Sequence, residues 1–210
     1  MPFPTGMFEL REVPEWGGGY GIFAKKDIPQ GTVYWRFRAP EDAETDSWEN
    51  LGPSPGPNEL FTVEELQTAG KEGTRPDLPA ILWGCFCHVP TRLVIHLNDG
   101  CQFTNHSFDP AAVNGGGLWS KDPQDEYAEA VKDIKAGEQL LEDYGVFQDF
   151  ETPGFAQLLK TYCPVRYEFE RTVKIKHGVT LPETVVVAVS PPVSHTVSPP
   201  ASLTVTVEAA

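Results

Sequence analysis

Short apolar runs broken by glycine and proline characterise the chain from Met7 to Arg38, and Tyr34-Trp35-Arg36-Phe37 is one of them. Such runs between turn-forming residues predict β-strands joined by tight turns. Apolar runs return at Ile81 to Val89 and at Leu93 to Leu97, where Asn98-Asp99-Gly100 can turn one strand into the next because these residues tolerate a positive φ. We therefore expect a mainly β fold with a few short helices.

Two short segments carry helix-start signals. Thr62 and Glu65 have the spacing of a capping box, in which a cap residue and the residue three positions later satisfy each other's backbone N–H groups. Thr152 can cap a second helix, and Pro153 suits its first turn because the N–H that proline lacks would be unpaired there. This second helix is expected to run to about Tyr162.

Residues 165–175 alternate between apolar and charged side chains. A period of two predicts a strand with one buried and one solvated face, interrupted once at Arg171. The predicted buried positions are Val165, Tyr167, Phe169, Val173 and Ile175, and the predicted solvated positions are Arg166, Glu168, Glu170, Lys174 and Lys176.

Composition divides the chain into segments. Residues 39–79 are acidic and rich in proline and glycine, which indicates an insertion inside a domain that spans residues 7–145. Residues 146–177 follow with the second helix and the alternating strand. Residues 178–210 are rich in Val, Ser, Thr and Pro, and Val189-Ser-Pro-Pro recurs as Val197-Ser-Pro-Pro, so we predict a disordered low-complexity tail.

The charge balance narrows the class of partner. The chain has 16 Lys and Arg against 30 Asp and Glu, a formal net charge of −14. Such a surface repels phosphate backbones and attracts cationic partners, so direct nucleic-acid binding is not expected. The chain opens without a signal-peptide pattern and lacks an apolar run of about 18 residues that could span a bilayer. We expect a soluble intracellular protein without a membrane partner.

The first chemical motif is the glycine-rich segment from Gly19 to Ala24. Its Gly19-x-Gly21-x-x-Ala24 spacing superficially fits a dinucleotide-binding fingerprint. A Rossmann loop follows a buried strand and opens a helix, whereas Ile28-Pro29-Gln30-Gly31 interrupts any helix here. A plain glycine-rich turn is the alternative.

Two further motifs follow in order. Asn105-His106-Ser107 presents an amide that can donate and accept, which suits reading the edge of a purine, although it could also be a polar turn. The segment from Ala130 to Gly145 is, taken alone, a strand, a turn and another strand.

Together and in this order, from about Met7 to Tyr144, the three motifs resemble the SET-domain protein-lysine methyltransferases. The resemblance implies small curved β-sheets around a C-terminal pseudoknot, and S-adenosylmethionine as methyl donor. It implies that the glycine loop and the Asn-His pair bind the cofactor and that Tyr144 is catalytic and also touches the cofactor. The implied cofactor-binding residues are Gly19, Tyr20, Gly21, Ile22, Phe23, Asn105, His106 and Tyr144.

The chain departs from the family pattern at three places. Ala111 stands where the family often has Asn, and Glu142 stands where many members have an apolar or aromatic residue that sets how many methyl groups are added. No cysteine cluster follows Gly145, so the zinc-binding segment found after many SET domains is missing and residues 146–177 are expected to close the lysine channel. Glu142 and the aromatic residues Tyr162, Tyr167 and Phe169 are candidates for that channel, although core packing is the alternative for each aromatic.

A metal site is the weaker interpretation of the cysteines. Cys85-x-Cys87-His88, with Cys101 as a further thiolate, lacks the second paired knuckle of a structural zinc site. Alternation along a strand would instead place Cys85 and Cys87 on one buried face. We expect no metal.

The sequence thus favours methyl transfer to a lysine of a Lys-rich protein substrate such as a histone tail, with a nuclear location if a histone is the substrate. Two alternatives stay open. One is a non-catalytic SET-like module that binds a basic segment, and the other is a methyltransferase of a non-histone protein.

Overall fold

The computed structural model describes most of the chain up to Gly178. The described residues are 3–14, 19–38, 48–51, 56–88, 90–118, 121–147 and 149–178. The predicted tail beyond Gly178, and residues 39–47 and 52–55 of the predicted 39–79 insertion, therefore lie outside the described residues. Among the described residues, no helix has both the length and the apolar character needed to cross a bilayer.

The strands are short and form several small sheets. They are β1 (Phe3–Pro4), β2 (Phe8–Glu12), β3 (Tyr20–Ala24), β4 (Val33–Arg36), β5 (Trp48–Glu49), β6 (Glu59–Phe61), β7 (Cys85–His88), β8 (Leu93–His96), β9 (Asn105–His106), β10 (Gly115–Leu118), β11 (Tyr127–Ala130) and β12 (Leu141–Glu142). Antiparallel pairing joins β1 to β5, β2 to β3, β4 through β11 to β10, and β6 through β8 to β7. The exception is the parallel pair formed by β9 and β12.

Small, mostly antiparallel sheets with few helices confirm the predicted fold class. The strand runs between Met7 and Arg38 are confirmed as β2, β3 and β4. The β-structure predicted from Ile81 to Val89 was wrong in its first part, because a helix that ends at Trp83 precedes β7. The Asn98-Asp99-Gly100 segment leads into a turn of 3₁₀ helix at Cys101–Phe103 before β9, and not directly into a strand.

Four α-helices lie within the described residues. They are α1 (Val63–Glu72), α2 (Leu78–Trp83), α3 (Phe155–Tyr162) and α4 (Pro164–Lys176). The capping box at Thr62 and Glu65 is present as predicted, with the Glu65 N–H donating to Thr62 Oγ1 at 3.1 Å. Helix α3 begins at Phe155 with Gly154 as its cap, so the predicted start at Thr152 and Pro153 was two residues early.

The predicted strand at residues 165–175 was wrong, because this segment is the helix α4. Arg166, Glu170 and Lys174 recur every fourth residue, and that spacing places them on one helix face as readily as alternation places them on one strand face. The predicted faces hold only in part. Val173 is buried and Glu168 and Lys176 are exposed as predicted, but Arg166, Glu170 and Lys174 are buried, whereas Val165 is 51% and Ile175 is 53% exposed.

Two apolar clusters hold the described fold together. The first lies between the small sheets, with Phe3, Phe8, Ile22 and Tyr34 at its centre. The second lies where α1, α2 and α3 pack on β7 and β8, with Leu66, Ile81 and Phe155 fully or almost fully buried. Helix α4 follows α3 directly and lies against the segment after Tyr144, so the C-terminal helices cover the region where the three motifs meet.

Candidate functional site

The glycine-rich strand β3 is joined to the segment that leads to Tyr144. The Ala24 N–H donates to the Glu138 carbonyl at 2.9 Å, and the Leu140 N–H donates to the Ile22 carbonyl at 2.8 Å. Phe23 and Gln139 form an antiparallel bridge between these two hydrogen bonds. The first and third motifs are thereby fixed side by side through their backbones.

The second motif is joined to the same segment by the parallel pair of β9 and β12. Asn105 lies opposite Leu141, and His106 lies opposite Glu142. The Tyr144 N–H then donates to Nδ1 of His106 at 3.1 Å. All three motifs therefore converge on the residues immediately before Tyr144.

The imidazole of His106 is fixed through its Nδ1 atom. The Tyr144 N–H donates to Nδ1 at 3.1 Å, and the Glu142 carbonyl lies 3.3 Å from the same atom. Burial lowers the pKa of His106, which favours the neutral form of the ring. The Nε2 atom is buried without a hydrogen-bond partner, and the ring packs among Phe108, Tyr144 and Phe169 with centroids at 4.4, 5.4 and 6.0 Å.

The hydroxyl of Tyr144 is a hydrogen-bonding group and not a phenolate. It donates to the backbone carbonyl of Thr104. Burial raises the pKa of Tyr144 far above its ordinary value, and the nearby carboxylates of Glu142 and Glu170 raise it further. A hydroxyl in these surroundings stays protonated near neutral pH, so it can orient a reacting group but cannot act as a base.

A cavity of about 90 Å³ lies against Tyr144. Aromatic walls include Phe86 and Phe147, which stack with centroids 5.6 Å apart. Three carboxylates and one guanidinium also line this space. Its volume is several times what a single buried water requires. These charged residues are Glu126, Glu142, Glu170 and Arg166.

The carboxylate of Glu142 is fixed by a residue far away in sequence. The buried hydroxyl of Tyr34 donates to Glu142 Oε1 at 2.6 Å. Burial raises the pKa of Glu142, and this hydrogen bond opposes the rise. Tyr34 thus orients Glu142 at the cavity wall, two residues before Tyr144.

The family model described as SET domain matches residues 19–145, which is more than half of the chain. The chain belongs to the SET-domain family. A comparison with curated proteins gives no match.

Solved SET proteins are similar to this chain at low sequence identity. The Neurospora SET domain protein DIM-5, a histone lysine methyltransferase, is 21% identical with a TM-score of 0.43, and the match covers 68% of this chain and 53% of that chain. Ezh2-containing Polycomb Repressive Complex 2 from Chaetomium thermophilum, bound to GSK126, is 21% identical with a TM-score of 0.43, covering 73% of this chain and 17% of that chain. This SET domain therefore spans about half or less of the length of those chains.

Several features of this SET domain fit a bound S-adenosylmethionine. Asn105 Nδ2 donates to the Tyr20 carbonyl at 3.0 Å, which sets the Asn-His pair against the glycine loop. The Gln139 amide nitrogen is buried beside them without a partner. A Cβ on Gly21 would overlap Gln139 Nε2 and lie 3.1 Å from Asn105 Nδ2, so a larger residue here would displace the Gln139 amide. An unpartnered donor beside a glycine strand suits the polar groups of such a cofactor.

The predicted cofactor residues differ in how they face this region. Tyr20 is partly exposed and packs edge-on against Phe103 at 5.6 Å. The Ile22 side chain is fully buried in the first cluster, and its backbone carbonyl accepts from the Leu140 N–H of the third motif. Phe23 is covered by the guanidinium of Arg11, whose Cζ lies 4.8 Å from the ring centroid.

Of the predicted aromatic channel residues, the structure brings Phe169 to Tyr144, with centroids 6.2 Å apart. Tyr162 and Tyr167 lie elsewhere, against the second apolar cluster. Tyr167 packs on Phe150 at 5.3 Å. Core packing, the alternative for each aromatic, thus describes the surroundings of Tyr162 and Tyr167.

Buried ion pairs attach α4 to the SET domain. Arg166 donates to Asp149 Oδ2 at 2.8 Å and to the Leu82 carbonyl, and the other Asp149 oxygen accepts from the Cys87 N–H at 2.7 Å. Lys174 donates to the carbonyls of Gly145 and Phe147, directly after Tyr144. The sequence pattern gave no signal for these contacts, because charged residues in alternation predict a solvated face.

The cysteines of the weaker metal interpretation are separated in the fold. Cys85 and Cys87 belong to the second apolar cluster, whereas Cys101 belongs to the first. Burial raises the pKa of Cys85 to about 12, which favours the thiol over the metal-binding thiolate. Within the described part of the chain, no group of three or more Cys, His, Asp or Glu residues could hold a metal ion.

Proposed function

We propose that this chain transfers a methyl group from S-adenosylmethionine to the side-chain amine of a lysine in a protein substrate. The observation that carries the proposal is the convergence of the three motifs on Tyr144 through the β3 bridge at Gln139 and the parallel pair of β9 and β12. Family membership and the polar surroundings of Gly21 support it.

The cofactor, when bound, supplies a methyl group on a positively charged sulfur. Gly19, Gly21, Asn105 and the backbone of His106 would hold it, together with the unpartnered amide of Gln139. The role of the protein in an in-line displacement is mainly to align donor and acceptor and to exclude water. Tyr144, which stays protonated, would orient the incoming amine from the cavity side.

The substrate we propose is a basic protein segment such as a histone tail. The net charge of −14 favours encounter with Lys-rich chains. The cavity beside Tyr144 combines aromatic walls with carboxylates, and these suit the aliphatic stem and the amine of a lysine, respectively.

Two assays test the proposal. Thermal unfolding and calorimetric titration with S-adenosylmethionine and with its demethylated product should show binding and stabilisation of the native state. Incubation with methyl-labelled cofactor and purified core histones should label a histone, and mass spectrometry should locate the label on lysine. Absence of both binding and labelling would contradict the proposal.

The same assays separate the alternatives. Ala111 replaces a residue that the family often carries as Asn, which leaves room for a module that binds a basic segment without turnover. Histone binding without any labelling would favour that module. Labelling of whole-cell proteins but of no histone would favour a non-histone substrate.

A further inference from the structure

Glu170 of α4 presents an unused acceptor at the cavity beside Tyr144. Its side chain is only 1% exposed and lines the cavity. Oε1 accepts from the Nε and Nη2 atoms of Arg166, both at 3.3 Å. Oε2 is buried and has no hydrogen-bond partner. A buried carboxylate oxygen left unpaired is unfavourable unless a donor arrives to use it.

The other two carboxylates of the cavity already have specific partners. Glu142 accepts from the Tyr34 hydroxyl at 2.6 Å. Glu126 lies 3.0 Å from Nε2 of the fully buried His88. Glu170 is therefore the carboxylate of this cavity that the structure leaves with a buried oxygen available for a guest.

The shape of the cavity indicates the chemistry of that guest. Phe86 and Phe147 form an apolar wall, and the three acidic residues line the same space as Tyr144. An apolar stem that ends in a cation with N–H donors satisfies both features, since burying carboxylates is favourable when a cation pairs with them.

We propose that Glu170 binds the ε-amino group of the substrate lysine and accepts its proton before methyl transfer. This inference rests on the proposed function. Glu170 Oε2 takes one proton from the ammonium group, which leaves a carboxylic acid and a neutral amine. The amine lone pair then forms the new N–C bond while the C–S bond of the methyl donor breaks and its electron pair remains on sulfur.

The surroundings of Glu170 suit a proton acceptor. Burial raises its pKa to about 7, against the lowering effect of Arg166 and Lys174 from the same helix, and Asp149 raises it further. Tyr144 and Cys85, which also face this cluster, have raised pKa values and stay protonated. A base is most effective when its pKa lies near the working pH. Burial of the substrate ammonium lowers its own pKa from about 10.4, which brings the two groups closer.

The test compares Glu170→Gln with Glu168→Gln, a matched change on the exposed side of the same helix, where Glu168 only pairs with Arg171. The substrate is a peptide around the lysine labelled in the histone assay. Glu170→Gln should lower kcat/KM by about 100-fold near neutral pH, the range of a general base. The loss should shrink as the pH rises, and Glu168→Gln should match the wild type.

A second peptide separates proton transfer from structural damage. Replacing the target lysine by S-aminoethylcysteine, whose amine has a lower pKa, should restore most of the rate of Glu170→Gln. Cofactor affinity and melting behaviour of the variant are measured on the same preparation. An unchanged rate would overturn the inference, as would a loss that neither pH nor the weaker amine relieves.

The wild-type protein provides a test that needs no variant. Its kcat/KM should rise with pH through an apparent pKa near that of Glu170, about 7. A profile without that rise would overturn the role of Glu170 even if the variant failed to fold. If the wild type is active and Glu170→Gln is equally active, only the role of Glu170 is wrong. If the wild type is inactive on all proteins, the proposed function is wrong, and the role of Glu170 with it.

Discussion

The backbone N–H of Tyr144 donates to Nδ1 of His106 across 3.1 Å. The two residues belong to different motifs, and the parallel pairing of Leu141–Glu142 with Asn105–His106 brings them together. The side chain of the Asn-His motif thereby fixes the backbone from which the Tyr144 hydroxyl projects. A shift of either strand would move both the predicted cofactor contact and the predicted catalytic hydroxyl.

Tyr144→Phe should remove most methyl transfer while leaving folding and cofactor binding intact. If the hydroxyl acts in the transition state, its loss should lower the rate of methyl transfer by about 100-fold, which corresponds to about 2.7 kcal/mol. If the hydroxyl only satisfies the Thr104 carbonyl, its loss should cost about 1 kcal/mol of stability without a specific rate effect. Single-turnover rates and melting curves distinguish the two. Tyr167→Phe, in the second apolar cluster, is the control and should keep the wild-type rate.

Gly21→Ala should weaken S-adenosylmethionine binding. The added Cβ would overlap Gln139 Nε2 and crowd Asn105 Nδ2, so the donors around β3 would have to move. Gly56→Ala is a matched control, because its Cβ would meet Asn98 Cβ at an ordinary 3.5 Å. Calorimetric titration of both variants measures the difference. Equal affinities would show that Gly21 is a turn residue and not part of the cofactor site.

Arg166→Met should destabilise the fold by about 3–5 kcal/mol, because it leaves the buried carboxylates of Asp149 and Glu170 without their cation. Arg171→Met breaks only the exposed pair with Glu168 and should cost about 0–1 kcal/mol. Urea unfolding of the two variants measures both values. Similar values for both would mean that the buried network contributes no more than a surface pair.

Chelators should leave the melting temperature unchanged. The attachment of α4 relies on the ion pairs of Arg166 and on the Lys174 hydrogen bonds to the Gly145 and Phe147 carbonyls, so no metal is needed to fold residues 146–177. Thermal unfolding with and without a chelator, together with elemental analysis of protein purified without added metal, tests this. Stoichiometric zinc and unfolding on chelation would contradict it.

Stability should decline as the pH rises through the neutral range. The pKa of Glu170 is raised from 4.5 to about 7, so the native state holds this proton to a higher pH than the unfolded chain does. Its contribution is fully present below about 4.5 and is lost as the pH rises through about 7. Melting temperatures of the wild type and Glu170→Gln, measured across this range, should differ in slope. Parallel curves would show that Glu170 titrates normally.

Local signals predicted parts of this fold well. The capping box at Thr62 and Glu65 needs only four residues of sequence, and it is present as predicted. The strand prediction for the α4 segment failed because Arg166, Glu170 and Lys174 fit a spacing of both two and four. Charged side chains usually face water, but here mutual pairing allows them to be buried. Alternation alone cannot distinguish these cases.

Long-range relations were beyond any pattern in the chain. The meeting of His106 with Tyr144 followed from the family resemblance and not from composition or spacing. The bond from Tyr34 to Glu142 and the placement of Glu170 at the cavity had no signal, since each joins residues whose sequence neighbours predict ordinary strands. The sequence motifs thus predicted the candidate site residues that they contain, and they gave no signal for Tyr34 and Glu170, which no motif contains.

The parallel pair of β9 and β12 also constrains the order in which the protein assembles. The strands β10 and β11 lie between them in sequence, so the pair closes a long loop whose entropy must be offset before its contacts contribute. Contacts of this kind slow folding relative to local ones. A partly folded chain that lacks this pair would have an incomplete proposed cofactor site, so the proposed ligand would bind only the completed topology. Binding of the proposed cofactor, which needs the complete fold, would then stabilise the folded domain against unfolding.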